Sequence, residues 1–185
     1  MGRLISTHIA SLDGYINDEQ GRFDWSEPDE QVHAFVNDLE RPIGTYLYGR
    51  RLYEVMTYWE TALEQPDAHE VEQDYARLWQ AAEKVVYSTT LAEPSTARTR
   101  IERTFDPDAI RKLKDESDRD LTIGGADLAS QALKAGLVDE IRLLFSPVII
   151  GAGTRFLTDH TRINLELTDE RRFPNGVVYL AYQIR

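Results

Sequence analysis

Cysteine is absent from all 185 residues. That absence removes disulfide frameworks, zinc ribbons, iron–sulfur clusters and thiolate nucleophiles. It also fits a reducing compartment, so a cytoplasmic location is the expectation. Basic residues are scarce: 21 Lys plus Arg stand against 32 Asp plus Glu, for a formal net charge of -11. A nucleic-acid partner needs a basic surface to neutralise phosphates, so none is expected. Long apolar runs are missing too. The stretch from Ile141 to Ile150 is interrupted by Arg142 and Pro147 and falls well short of the ~20 residues that span a bilayer. No membrane partner is expected. There is no G-x-G-x-x-G fingerprint, no Walker A lysine motif, no H-E-x-x-H pair and no G-x-S-x-G elbow. His8, His33, His69 and His160 are scattered along the chain, and no dedicated metal site is expected.

What remains is an ordinary globular composition, 42% hydrophobic, enough for a packed core. Residues 3–12 read as a strand ending in an Asp13-Gly14 turn, and residues 17–28 as a polar loop. Val32, Phe35, Val36 and Leu39 recur with helical spacing up to Arg41-Pro42. Residues 45–48 read as a short strand, after which Gly49-Arg50-Arg51 opens a helix. An acidic loop then leads into a helix reaching about Ala82, followed by strands at 85–87 and 101–105. Asp106-Pro107 has the form of a helix start. Leu121 to Ile123 runs as a strand into Gly124-Gly125, and the next helix is closed by Gly136. Residues 138–150 read as one long strand bent at Pro147, and 163–172 with 177–184 as a hairpin about Asn175-Gly176. This alternation predicts a single α/β domain over residues 1–185. Its mostly parallel central sheet would carry helices on both faces and end in an antiparallel hairpin.

Ligands of open α/β sheets sit beyond the carboxyl ends of the strands. Three segments fall there: Tyr48-Gly49-Arg50-Arg51, Tyr87-Ser88-Thr89-Thr90, and Ile123-Gly124-Gly125-Ala126-Asp127-Leu128. Each offers free backbone N–H groups, and two open helices whose positive ends suit phosphate oxygens. Three anion-receptive corners on one edge suggest a dinucleotide. A flat substrate would need an acid nearby. Asp29 and Glu30 open the first helix, and His33 follows Glu30 on the same face. Asp13 is either a catalytic group or a turn residue capping its own backbone.

The combination resembles the dihydrofolate-reductase-like superfamily, and within it the C-terminal reductase domain of the riboflavin-biosynthesis deaminase–reductase (the RibD C-terminal family). The carrying segments are Ser11-Leu12-Asp13-Gly14-Tyr15-Ile16, Tyr48-Gly49-Arg50-Arg51-Leu52-Tyr53-Glu54, Ile123-Gly124-Gly125-Ala126-Asp127-Leu128, Leu137-Val138-Asp139-Glu140-Ile141 and Pro147-Val148-Ile149-Ile150-Gly151-Ala152-Gly153. The resemblance implies a dihydrofolate reductase-like three-layer sandwich and an NADPH-dependent reductase acting on a pyrimidine- or pterin-like heterocycle. The nearest named activity is 5-amino-6-(5-phosphoribosylamino)uracil reductase. The alternatives are dihydrofolate reductase proper and a catalytically inactive nucleotide-binding module. By position, Gly49, Arg50 and Arg51 would hold cofactor phosphates and Ser88 and Thr89 the ribose 2'-phosphate. Gly124 and Gly125, often cis-linked in the family, would let the helix from Ala126 approach the pyrophosphate, and Ile16 would lie beside the nicotinamide. Trp25-x-x-Pro28-x-Glu30 has the spacing of true dihydrofolate reductases, which would make Glu30 the substrate-facing acid. The resemblance also implies a homodimer. The zinc motif of the deaminase half cannot exist in a chain without cysteine.

Overall fold

A computed structural model describes residues 1–157 and 162–185; His160 lies outside them. The chain builds an eight-stranded sheet in the order β5-β4-β3-β6-β1-β7-β10-β9. Its strands are β1 (Leu4–Ser11), β3 (Ile43–Gly49), β4 (Glu83–Tyr87), β5 (Thr99–Glu102), β6 (Asp120–Gly124), β7 (Glu140–Ser146), β9 (Leu165–Arg172) and β10 (Val178–Ile184). Strands β1, β3, β4, β5, β6 and β7 pair in parallel, while β10 runs antiparallel to both its neighbours. The α/β class, the parallel sheet and the closing hairpin agree with the sequence reading.

Both faces of the sheet are covered. Leu4, Leu47, Val85, Leu121 and Ile123 pack on one face with Ile110 of α5 (Pro107–Glu116) and with Leu128, Ala132 and Leu133 of α6 (Ala126–Lys134). Ile5, Tyr46, Tyr48 and Val86 face the other way. There they meet Tyr53 of α2 (Arg50–Met56) and Tyr75 and Trp79 of α4 (Glu70–Ala81). Val32 of α1 (Glu30–Glu40) covers Leu144, Tyr179 and Ala181 on that same side. Double-sided burial explains why these strands read as apolar runs rather than alternating ones.

Four local readings are corrected. The strand predicted over 138–150 ends at Ser146, because Pro147 has no N–H to continue the ladder and the chain turns there, with Val148 N–H donating to Ser146 O. The strand predicted over 101–105 is instead Thr99–Glu102, bracketed by backbone bonds from Lys84 to Arg98 and from Ser88 to Glu102. At the start of the predicted polar loop, Tyr15–Asn17 forms β2, which pairs with β8 (Thr154–Arg155) in a separate two-stranded sheet. The acidic segment holds a further short helix, α3 (Tyr58–Thr61). Two- to four-residue elements have no period to detect; they stand on their packing partners.

The last residue of α1 is a buried polar group. Glu40 is 5% exposed and its Oε2 has no hydrogen-bond partner. Burial pushes its carboxyl up to about 7, against the opposing pull of the Tyr46 hydroxyl and the Arg142 guanidinium. Arg142 itself is buried and donates to Leu39 O at 3.1 Å, closing the last turn of α1. A raised acid pKa means the unfolded chain releases its proton first. Stability from this group is therefore full below pH 4.5 and lost progressively up to about pH 7. Thermal melts between pH 5 and 8 should show Glu40→Gln removing that decline, with a gain at pH 8 on the order of 3 kcal/mol or less. An unchanged pH profile in the variant contradicts the assignment.

Candidate functional site

Two parallel strands deliver their carboxyl ends to one corner. β3 ends at Gly49, the N-cap of α2, and β6 ends at Gly124, next to Gly125, the N-cap of α6. The two caps touch: a Cβ on Gly125 would lie 3.5 Å from Gly49 N. A Cβ on Gly124 would collide with the Leu52 side chain. Gly125 holds φ +96°, a conformation that favours glycine. All peptide bonds among the described residues are trans, so the cis Gly124–Gly125 linkage implied by the resemblance is absent and this positive φ makes the corner instead.

The caps of the helices differ. α1 is capped by the Asp29 carboxylate, which accepts from Val32 N–H at 2.9 Å, and α5 by Asp106, which accepts from Asp108 N–H at 3.0 Å. α2 and α6 have no side-chain cap at all. Their first-turn N–H groups are the ones left for an external acceptor, and a crowded, Cβ-free corner is where a phosphate oxygen can reach them. This arrangement fits a cofactor pyrophosphate.

The other residues predicted to face a cofactor divide by their surroundings. Arg51 is exposed and makes no hydrogen bond or ion pair among the described residues, so its guanidinium is open to a ligand. Arg50 is engaged, with Glu54 at 2.7 Å and with the Thr90 hydroxyl at 2.6 Å. Ser88 Oγ accepts from Thr90 and Leu91 N–H, at 3.3 and 3.0 Å, and shapes the turn after β4, where Thr89 is exposed. Asp127 projects to solvent and Ala126 is buried in the first turn of α6. Ile123 and Leu128 are core residues that set the edge in place. Arg103 was not anticipated. It donates to Ser88 O at 2.9 Å and Leu91 O at 2.6 Å and staples the 88–92 turn. Only the β4–β5 pairing brings it there.

Beyond β1 the chain is tied to the segment after β7. Asp13 accepts from Ser11 Oγ at 2.7 Å, Ile150 N–H at 3.1 Å and Gly151 N–H at 2.7 Å. The Ser11 hydroxyl, ahead of those two amides, holds its carboxyl below the usual range. These bonds make Asp13 a tether between two loops, more than a cap of its own turn. Leu12 N–H donates to Val148 O, and β2, which carries the half-buried Ile16, pairs with β8. Gly153 makes this approach possible, at φ +139° with its Cβ position filled by Asn17 O.

A cavity of about 210 Å³ opens between the ends of β1 and β7, the segment leading into α1 and the turn of the β9–β10 hairpin. Trp25, Glu27, Pro28, Val32, Ser146 and Asn175 line it. Thus Trp25 and Pro28 of the Trp-x-x-Pro-x-Glu spacing reach the cavity, whereas Glu30 is exposed on the first turn of α1 and is not in its wall. Asp29 is consumed as a helix cap. His33 is half-buried between the Trp59 and Tyr75 rings, both at 5.9 Å, and desolvation lowers its pKa. The wall carboxylate is Glu27, which the sequence reading passed over because it sits in irregular chain.

Comparison with known proteins completes the description. The RibD C-terminal domain family matches residues 3–179. YyaP, an uncharacterized protein of Bacillus subtilis strain 168, is 32% identical over 184 residues, covering 97% of this chain and 94% of its own. YwjB, a second uncharacterized protein of that strain, is 27% identical over 180 residues, covering 92% and 93%. Among solved structures, a Shewanella sp. PV-4 protein named for riboflavin biosynthesis superposes with a TM-score of 0.76 at 19% identity, over 99% of both chains. A pyrimidine reductase-like protein from Corynebacterium diphtheriae gives 0.71 at 14%, over 100% and 92%. A diaminohydroxyphosphoribosylaminopyrimidine deaminase/5-amino-6-(5-phosphoribosylamino)uracil reductase from Thermotoga maritima gives 0.66 at 15%, over all of this chain and 57% of that one. The fold is therefore that of the dihydrofolate-reductase-like proteins. The chain belongs to the RibD C-terminal domain family.

The loop tether is directly testable. Gly153→Ala places a methyl group against the Asn17 carbonyl at a strained φ, which should cost about 1–3 kcal/mol. Hydrogen exchange should quicken at residues 15–17 while the amides of β1 and β7 stay protected. Unchanged exchange at residues 15–17 contradicts this account.

Proposed function

We propose that this protein is an NADPH-dependent reductase that transfers hydride to a pyrimidine- or pterin-like heterocycle. The carrying observation is the pair of helices lacking side-chain caps, whose N-termini converge on Gly49 and Gly125 beside the open guanidinium of Arg51. Family membership and the reductase names among its structural neighbours support the same reading. NADPH would supply the hydride. The backbone N–H groups of α2 and α6 would hold the pyrophosphate, and Arg51, with the Ser88–Thr89 turn, would hold the adenosine-side phosphate. Ile16, fixed by the β2–β8 pair, would flank the nicotinamide beside the cavity. The cavity would orient the heterocycle, and Glu27 in its wall or Glu30 at the start of α1 would hold the proton that follows the hydride.

Quenching of intrinsic tryptophan fluorescence measures the first step. NADPH should bind, and Arg51→Ala should weaken it about tenfold, as expected for one lost charge-assisted contact. No binding at millimolar NADPH overturns the reading. Binding without oxidation by any uracil or pterin leaves a nucleotide-binding module.

We also propose a homodimer. All eight residues of the edge strand β9 are exposed, Leu165 and Leu167 among them, and Val178 of β10 adds apolar surface beside them. An open edge of this kind is normally covered. Light scattering should give twice the 21.2 kDa chain mass at micromolar concentration; a monomer refutes it.

A further inference from the structure

We propose that the cavity beside β1 and β7 selects a small heterocycle that carries no phosphate, and rejects the phosphoribosylated form of the same base. This deepens the reductase reading and rests on it for the chemistry, while the binding claim stands on the cavity walls.

The charge of those walls decides the matter. Among the described residues none of the lining side chains is Lys, Arg or His, and Glu27 is the one charged group. A phosphate monoester carries about -1.5 to -2 charges at neutral pH and is normally met by Arg, Lys or an open helix N-terminus. The helix end nearest the cavity is that of α1, whose Val32 lies in the wall. The Asp29 carboxylate already takes the Val32 N–H at 2.9 Å, and Glu30 adds negative charge in that turn. The arginines of the adjoining hairpin arm do not compensate. Arg171 lies over the Phe35 and Phe173 rings, at 4.9 and 4.8 Å. Arg172, the next residue on the strand, points to the opposite face of the sheet.

What the walls do offer is neutral recognition. Trp25 Nε1 is buried without a partner among the described residues, and Ser146 brings a hydroxyl to the wall. The Asn175 side-chain oxygen accepts from Val177 N–H at 3.0 Å, leaving its amide as a donor. Donors from Trp25, Ser146 and Asn175, with the Glu27 carboxylate as acceptor, suit the carbonyls and N–H groups of a planar base. At about 210 Å³ the space is also below the ~300–1,000 Å³ of ordinary ligand pockets.

The test is calorimetric titration with 5,6-diaminouracil and with 5-amino-6-(5-phosphoribosylamino)uracil, each with and without saturating NADPH. The free base should bind at least tenfold more tightly. Glu27→Lys should narrow or invert that preference. Trp25→Phe, which keeps the ring but removes the donor, should weaken the free base about fivefold or more while the melting temperature holds. Equal or tighter binding of the phosphoribosyl compound overturns the proposal, as does failure of both compounds to bind at millimolar concentration. Failure of NADPH alone, with the base preference intact, removes the reductase reading and leaves the cavity assignment standing.

Discussion

Everything functional here depends on β1 being paired in parallel on both sides. The first strand of the chain lies between β6 and β7, so it cannot be completed until residues 120–146 have folded beside it. Its register aligns Ser6 with Ile123 and Ser11 with Ser146. That alignment puts the end of β1 between the glycine corner on one side and the cavity on the other. The cost is polar burial. Ser6 and His8 are buried in β1 and bond to each other at 2.8 Å, and desolvation lowers the His8 pKa to about 4, which keeps the ring neutral. Paired this way, the two groups avoid the penalty of an unsatisfied polar atom in a sheet covered on both faces.

A division among helix ends follows. The helix that borders the cavity and the helix packed at the outer strands carry their own aspartate caps. The two that meet at the glycine corner carry none. Since every helix N-terminus has N–H groups to satisfy, the pattern leaves the glycine corner at the ends of β3 and β6 as the anion-receptive stretch, between an aspartate-capped helix following β5 and another beside the cavity. The net charge of -11 says nothing about this distribution. The proposed polyanionic cofactor and neutral substrate could share one edge because the caps, rather than the overall charge, set the local field.

Much of the architecture was legible in the sequence. The alternation of short strands with helices signalled a covered parallel sheet, and Asp106-Pro107 and Gly136 marked helix ends that the structure places where expected. Gly124-Gly125 and Gly49 were visible as corners because glycine after a strand is a local signal. The site was less legible. Arg103 reaches its turn only through a neighbouring strand, Asp13 finds its acceptor role in amides 137 and 138 residues away, and Glu27 enters the cavity from chain with no period. Local pattern carries no information about such contacts.

The sequence by itself determined which residues must be buried, where strands turn into helices, and that thiol and zinc–cysteine chemistry are excluded. Those are consequences of hydrophobicity, capping and backbone freedom, which act within a few residues. The tertiary structure alone decided that Glu27 and not Glu30 would stand in the cavity wall, and that Arg50 would be taken up by the Thr90 hydroxyl forty residues on while Arg51 stays open. Each of these turns on whether a charged group meets a partner in space, and that partner is chosen by the packing of elements far apart in the chain.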